Sequence, residues 1–395
     1  MEFTYGLLTG LIPGLAAAPS WVLVALGGLI PAFITFNFVG LGPIIYVYAE
    51  RKFSAFMQDR LGPMRVGPYG LLQTIADAIK LLFKEAIFPA GVDKLLFLVA
   101  PIIVVAGSFL PFVVIPWGAR LQAVDLNVGV FYVSAVSSLA TVGLIMAGWA
   151  SDNKYALFGA MRSAAQIVSY EIPSVMALLT VVMMAGSLSL QDIVRGQAGG
   201  LQNWYLFRYF PLMPIAFLTF FTAGLAECNR TPFDIPEAES ELVAGFHTEY
   251  SGFFFAMFFL AEYTEMFVIS SVASVLFLGG FQAPLPIFQA IGPLGLGWFW
   301  LIFKAWILIF VMMWLRWTLP RLRVDQLMHV AWKVLLPISF VLVVVVGGLV
   351  LRFPNGFVWD RWFGWPITLV LIGFLGVGMI RAISWSRRRT EELLA

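Results

Sequence analysis

Apolar residues fall in long runs along this chain, separated by short charged segments. Runs of about 20 apolar residues suit helices that cross a hydrocarbon core roughly 30 Å thick, and the alternating ten-residue strands of an outer-membrane barrel are absent. Runs and breakers place spans at 21–48, 93–116, 127–149, 163–186, 208–226, 251–279, 296–318, 333–351 and 364–384. The pattern predicts an all-α polytopic membrane protein of about nine transmembrane helices, forming a single membrane domain over 1–395. The opening "MEFTYGLLTGLIPGLAAAP" has no basic n-region and contains Gly and Pro. Residues 1–20 therefore read as an interfacial approach and not as a cleaved signal.

One further helix does not fit a span. In "LLQTIADAIKLLFKE", Leu71, Leu72, Ile75, Ile79, Leu82 and Phe83 follow helical spacing on one face, while Gln73, Asp77, Lys80 and Lys84 fall on another. This is an amphipathic helix lying at the membrane surface. Before it, "DRLGPMRVGPYG" holds Arg60 and Arg65 on a loop stiffened by Gly-Pro turns. The segment serves either as a lipid-headgroup anchor or as one wall of a ligand entrance.

Composition agrees with the pattern: of 395 residues, 61% are hydrophobic and 12% charged, against roughly 25% charged in soluble domains, and mean hydropathy is +0.90. Eighteen of the 24 Lys and Arg lie on one side of the spans, from Arg51 and Lys52 to the run Arg387, Arg388 and Arg389. Arg120, Arg195, Arg208, Arg352 and Arg361 lie on the other, and Lys304 falls within a span. The positive-inside rule makes the first side cytoplasmic, with the N-terminus outside and the C-terminus inside. The net charge of +2 resides in membrane-flanking loops, so nucleic acid is not an expected partner. Cys228 is the sole cysteine, which excludes an internal disulfide and an iron–sulfur cluster held by this chain alone. With His247 and His329 the only histidines, no metal site is expected. No P-loop or G-x-G-x-x-G occurs, and Asn229-Arg230-Thr231 matches a glycosylation pattern on the wrong side of the membrane.

The acids are concentrated. Residues 226–250, "AECNRTPFDIPEAESELVAGFHTEY", carry Glu227, Asp234, Glu237, Glu239, Glu241 and Glu249 on the cytoplasmic side. Glu237, Glu239 and Glu241 crowd like charges whether the segment is helical or extended. Such crowding raises some pKa values in the loop and lets the set hold a shared proton. A solvated acidic loop is the plainer alternative. Against it stand Glu227 at the end of span five, Glu171 within span four and Glu262 within span six. An intramembrane carboxylate costs roughly 2.5–3.5 kcal/mol to insert, and such residues are functional by default unless they pair for packing alone.

Four segments carry a resemblance: "AERKFSAFMQDRLGPMRVGPYGLLQTIADAIKLLFKE", "SDNKYALFGAMRSAAQIVSYEIP", "AECNRTPFDIPEAESELVAGFHTEYSGFFFAMFFLAEY" and "LRWTLPRLRVDQLMHVAWKVLLP". In order and placement they resemble the signature segments of the quinone-chamber membrane subunit, the H subunit, of the proton-pumping NADH:quinone oxidoreductase, respiratory complex I. The resemblance extends from about residue 20 to residue 351.

That resemblance implies a membrane subunit, not catalytic in isolation, that forms part of a quinone chamber. Its partners would be hydrophilic-arm subunits, one carrying the terminal iron–sulfur cluster, together with small and antiporter-like membrane subunits and lipid. Quinone would be the substrate, with flavin and iron–sulfur clusters held by the partners. Carried over, Arg51, Phe53, Phe56, Arg60, Arg65 and Asp77 would line the chamber and its entrance. Glu171, Glu227, Glu237, Glu239, Glu241 and Glu262 would form a proton or charge relay, with Lys304 a member of it or a snorkelling residue. Residues 93–279 would resemble a five-helix half-channel. Two positions depart from the pattern: Val324 stands where members commonly have an aromatic residue, and Glu265 adds an acid where an amide is common. The last span and the arginine tail point to a bacterial inner membrane. Two other readings remain, the equivalent subunit of a hydrogenase or ferredoxin-fed complex and a stand-alone ion transporter.

Overall fold

The computed structural model describes residues 20–119, 121–235, 243–285, 296–353 and 356. The span expected at 364–384, residues 1–19 of the N-terminal approach and the arginine tail lie outside them. Helix α1 (Ser20–Met57) is followed by the surface helix α2 (Gln73–Phe83) and by α3 (Lys94–Phe109), which tightens into a 3-10 turn to Val113. Helices α4 (Gly129–Ser137) and α5 (Leu139–Ala150) form one span through Ser138. Helix α6 (Lys154–Ala185), the short α7 (Leu190–Arg195), α8 (Leu212–Glu227), α9 (Gly252–Phe277) and α10 (Gly297–Thr318) come next. The chain then forms α11 (Val324–His329), a π turn at Val330–Leu335 and α12 (Leu336–Arg352).

The described residues contain no strand. Among the described residues, six helical stretches are long and apolar enough to cross a membrane, namely Lys94–Val113, Gly129–Ala150, Lys154–Ala185, Gly252–Phe277, Gly297–Thr318 and Val324–Arg352, while α8 is shorter and apolar. The chain is thus a polytopic helical membrane protein, as the hydropathy pattern predicts.

Three boundaries differ from expectation, and the span expected from 333 starts at Val324, where the Gln326 side chain accepts from the Arg323 N–H at 3.1 Å. Helix α1 continues past residue 48 to Met57 because nothing in "YAERKFSAFM" breaks a helix. At 38 residues it spans about 57 Å, so its C-terminal end overshoots the hydrocarbon and carries Glu50, Arg51 and Phe53 with it. Helix α6 starts at Lys154 instead of 163 because Asn153 caps it, accepting a hydrogen bond from the Tyr155 N–H at 2.9 Å. Glu171 consequently sits near the middle of that helix.

Lipid tails are as apolar as leucine, so burial alone cannot pull these helices together, and close packing at small residues has to do so. Helices α3, α5 and α6 follow that rule. A Cβ on Gly143 would come within 2.5 Å of Val104, one on Gly148 within 2.3 Å of the Ala160 Cβ, and one on Gly107 within 2.9 Å of the Ala140 nitrogen. Gly159 of α6 lies against loop backbone, where its Cβ would be 2.6 Å from the Gly245 Cα. This contact seats the loop that enters α9.

Gly159→Val is expected to unseat that loop and destabilise the protein by about 1–3 kcal/mol. The open Gly348, with nothing within 4 Å of a new Cβ, provides the control in Gly348→Ala. Thermal aggregation of the two variants in mild detergent checks this, and equal midpoints would contradict the packing argument.

Candidate functional site

The loop after α8 is built to hold an arginine inward. Gln166 of α6 donates its side-chain amide to the Ala226 and Phe233 carbonyls, both at 2.8 Å, and to Asn229 Oδ1 at 3.2 Å. With that loop pinned, Arg230 points into the protein and is only 4% exposed. Its Nη1 lies 3.2 and 3.3 Å from the two Glu50 carboxylate oxygens, and its Nε lies 3.0 Å from Glu262 Oε1. Arg316 of α10 pairs with Glu50 from the opposite side. The Arg230 guanidinium also stacks over the Tyr263 ring at 4.2 Å. Two cations thus meet two anions, which is how a buried charge becomes tolerable. The network binds the C-terminal ends of α1, α8 and α10 to α9, so these ends lie on one side of the molecule.

Beside it, Arg321 pairs with Asp234 at 2.7 Å. Burial lifts the Asp234 carboxyl above its ordinary range, with Arg321 opposing the shift.

From Glu262 the acids continue inward. A cavity of about 250 Å³ is lined by Glu262, Glu265, Glu227, Asn229 and His247. Burial pushes the His247 imidazole down to about 4, so it is neutral at physiological pH. A second cavity of about 60 Å³ adjoins it and is lined by Glu227, Glu265 and Glu171 with Ser134, Ser137, Ser138 and Ser174. At roughly 10–15 Å³ per enclosed water that is space for a few molecules. Ser138, at the joint between α4 and α5, donates to Glu171 Oε1 at 2.7 Å. Glu171, Glu227 and Glu262, singled out from the sequence, are therefore brought together along one internal path. Glu237, Glu239 and Glu241 fall within 236–242, outside the described residues.

The expected chamber residues lie at and after the C-terminal end of α1 and on α2, and they face different neighbours. Arg51 pairs with Asp77 of α2, whose other oxygen accepts from Gln73 at 3.1 Å. Phe53 meets the Phe310 ring edge-on at 4.9 Å. Phe56, Arg60 and Arg65 are exposed, and Arg60 Nε donates to Gln58 at 2.6 Å. The apolar face of α2 is open as well, with Leu82 60% and Phe83 88% exposed.

Lys304 stands apart from the acids. Its ammonium donates to the carbonyls of Leu278, Gly280 and Gln282 at 2.6, 2.8 and 2.7 Å, under the Trp204 ring at 4.3 Å. All three of its donors are satisfied by the C-terminal end of α9, where a cation also complements the helix dipole.

The family model described as NADH dehydrogenase matches residues 30–347. The chain belongs to the family of NADH-quinone oxidoreductase H subunits. The H subunit of Chlorobaculum tepidum is 55% identical over 326 residues, covering 80% of this chain and 90% of the relative. That of Geobacillus sp. is 49% identical over 329 residues, covering 82% and 94%. The second H subunit of Geobacter metallireducens is 46% identical over 344 residues, covering 82% and 95%. The family expected from the four motifs is thus confirmed, and with it a membrane subunit of that oxidoreductase.

Within this member of the H-subunit family, sequence reasoning missed Glu50, Tyr263 and Arg316 as partners in the buried network. Glu262 did leave a signal, because an acid inside a span calls for a cation, and Arg230 follows the preceding span directly. Arg230→Met would strand Glu262 and leave Glu50 on Arg316 alone, and is expected to cost about 3–5 kcal/mol, the range for breaking a buried pair. Arg230→Lys keeps the charge but loses the forked geometry and is expected to lie between. Detergent melting of the assembled protein checks the ranking, and a wild-type midpoint for Arg230→Met would refute it.

Proposed function

We propose that this chain forms part of the quinone-binding chamber of a bacterial complex I and couples quinone reduction to proton translocation. The observation that carries this reading is the pair of adjoining cavities that Glu171, Glu227 and Glu262 line, next to the Arg230–Glu50–Arg316 network one residue from Arg51. Reducing a quinone consumes two protons and transiently creates negative charge, so an adjacent line of carboxyls answers it by taking up or shifting protons. Arg51 and Asp77 fix the angle between α1 and α2, and the open apolar face of α2 with Phe53 and Phe56 suits an isoprenoid tail entering from lipid. Glu237, Glu239 and Glu241 extend the relay along the sequence that follows Glu227. Lys304 supports the turn after α9 and relays no proton in this reading.

The chain's partners are the hydrophilic-arm subunits, including the one with the terminal iron–sulfur cluster, and the small and antiporter-like membrane subunits. Flavin and clusters belong to those partners. The named relatives are bacterial, which supports a plasma-membrane location with the loop side cytoplasmic.

Glu227→Gln and Glu241→Gln are each expected to leave assembly intact while quinone reductase and proton pumping fall together by about tenfold or more. The test uses the tagged complex, purified from native membranes and reconstituted in liposomes. Full activity with full pumping in both variants would remove the relay assignment, and a tagged chain that purifies alone would support a transporter instead. Arg51→Ala is expected to raise the apparent KM for quinone by roughly tenfold through loss of a charge-assisted contact. Unchanged kinetics with both long-tailed and short-tailed quinones would exclude Arg51 from the chamber.

A further inference from the structure

Glu265 belongs to both internal cavities, as does Glu227. Glu171 lines only the smaller cavity and Glu262 only the larger. Any proton that passes between Glu171 and Glu262 therefore crosses the boundary where Glu227 and Glu265 stand. Close packing one turn away fixes this meeting of helices. A Cβ on Gly224 would come within 2.4 Å of Ile269, so α8 and α9 approach closely at that level and bring Glu227 and Glu265 within reach of each other's charge.

Glu265 also carries an unexplained group. Its Oε2 is enclosed and makes no hydrogen bond among the described residues. Buried polar atoms are nearly always paired, and an unpaired one marks stored cost or a working part. Nothing in the packing of α9 requires an acid at this position. Glu262, one turn earlier, is held by Arg230 at 3.0 Å, whereas none of the ion pairs between described residues includes Glu265.

We infer that Glu265 is a proton-carrying residue that, with Glu227, joins the two cavities into one path. The inference rests on the relay reading above and adds a residue to it. In the forward step the Glu265 carboxylate takes a proton from a donor in the larger cavity, forming its O–H bond as the donor's breaks. It then yields that proton to Glu227, or toward Glu171 through water in the smaller cavity. One proton moves and no electron does. Glu265 returns to its starting form when the proton leaves. Arg230 holds Glu262 in a fixed ion pair, so Glu265 is the freer of the two α9 acids.

The test compares Glu265→Gln, Glu265→Asp and Glu227→Gln in the whole complex. It measures NADH-driven pumping in liposomes and the infrared difference spectrum on quinone reduction. Glu265→Gln is expected to assemble, to lose pumping roughly two- to thirtyfold, and to remove a carboxylic-acid C=O band. Glu265→Asp is expected to restore pumping and to shift that band, which a purely structural role would not do. Wild-type pumping and an unchanged spectrum in Glu265→Gln, with Glu227→Gln impaired, would overturn the inference and leave the relay reading standing. Wild-type behaviour in both would overturn the relay itself. Should Glu265→Gln fail to assemble, the aspartate variant decides, because an unshifted carboxyl band there also overturns the assignment.

Discussion

A guanidinium that cannot leave a low-dielectric interior has to be surrounded by anions, and the position of Arg230 governs much of the molecule. Two carboxylates and one aromatic face satisfy it, Glu50 from one helix and the adjacent Glu262 and Tyr263 from another. Glu50 comes from the overshooting end of α1, Glu262 from inside α9, and Arg316 closes the circle from α10. The loop that presents Arg230 is held by Gln166, a neutral side chain on a fourth helix. Removing any one charge leaves another uncompensated, so the helices are constrained by electroneutrality as well as by shape.

Packing divides the molecule into two regimes. At Gly107, Gly143 and Gly148, small residues bring α3, α5 and α6 into backbone contact. A few residues away serines and carboxyls enter the walls, and two cavities open, one bounded by α4, α6, α8 and α9 and the larger by α3, α5, α6, α8 and α9. Their walls are largely apolar, with a few serines and carboxyls that offer water the polar partners it needs. The difference between a dry seam and a wet one lies in a handful of side chains on the same helices.

The outline of this fold was legible because hydropathy and helix caps act locally. The spans, the surface helix Gln73–Phe83 and the intramembrane acids Glu171 and Glu262 all declare themselves within a few residues of sequence. Partnerships did not, since Glu50 and Arg230 are 180 positions apart and no local signal links them. The ends of α1 and α6 were misjudged because a window of hydrophobicity stops at the first charges, whereas a helix stops only where its hydrogen bonds do. Lys304 looked ambiguous for a related reason: its partners are backbone carbonyls, which every residue possesses and no sequence pattern marks.

Glu50 and Arg51 are neighbours on one uninterrupted helix, yet they face different company. Glu50 looks inward to Arg230 and Arg316, while Arg51 reaches outward to Asp77 on the surface helix. Adjacent Cα atoms are about 3.8 Å apart, so there is no slack between the two attachments. The end of α1 is thus a joint pinned on two faces within one residue, with Glu50 held by buried guanidinium groups and Arg51 by the surface helix.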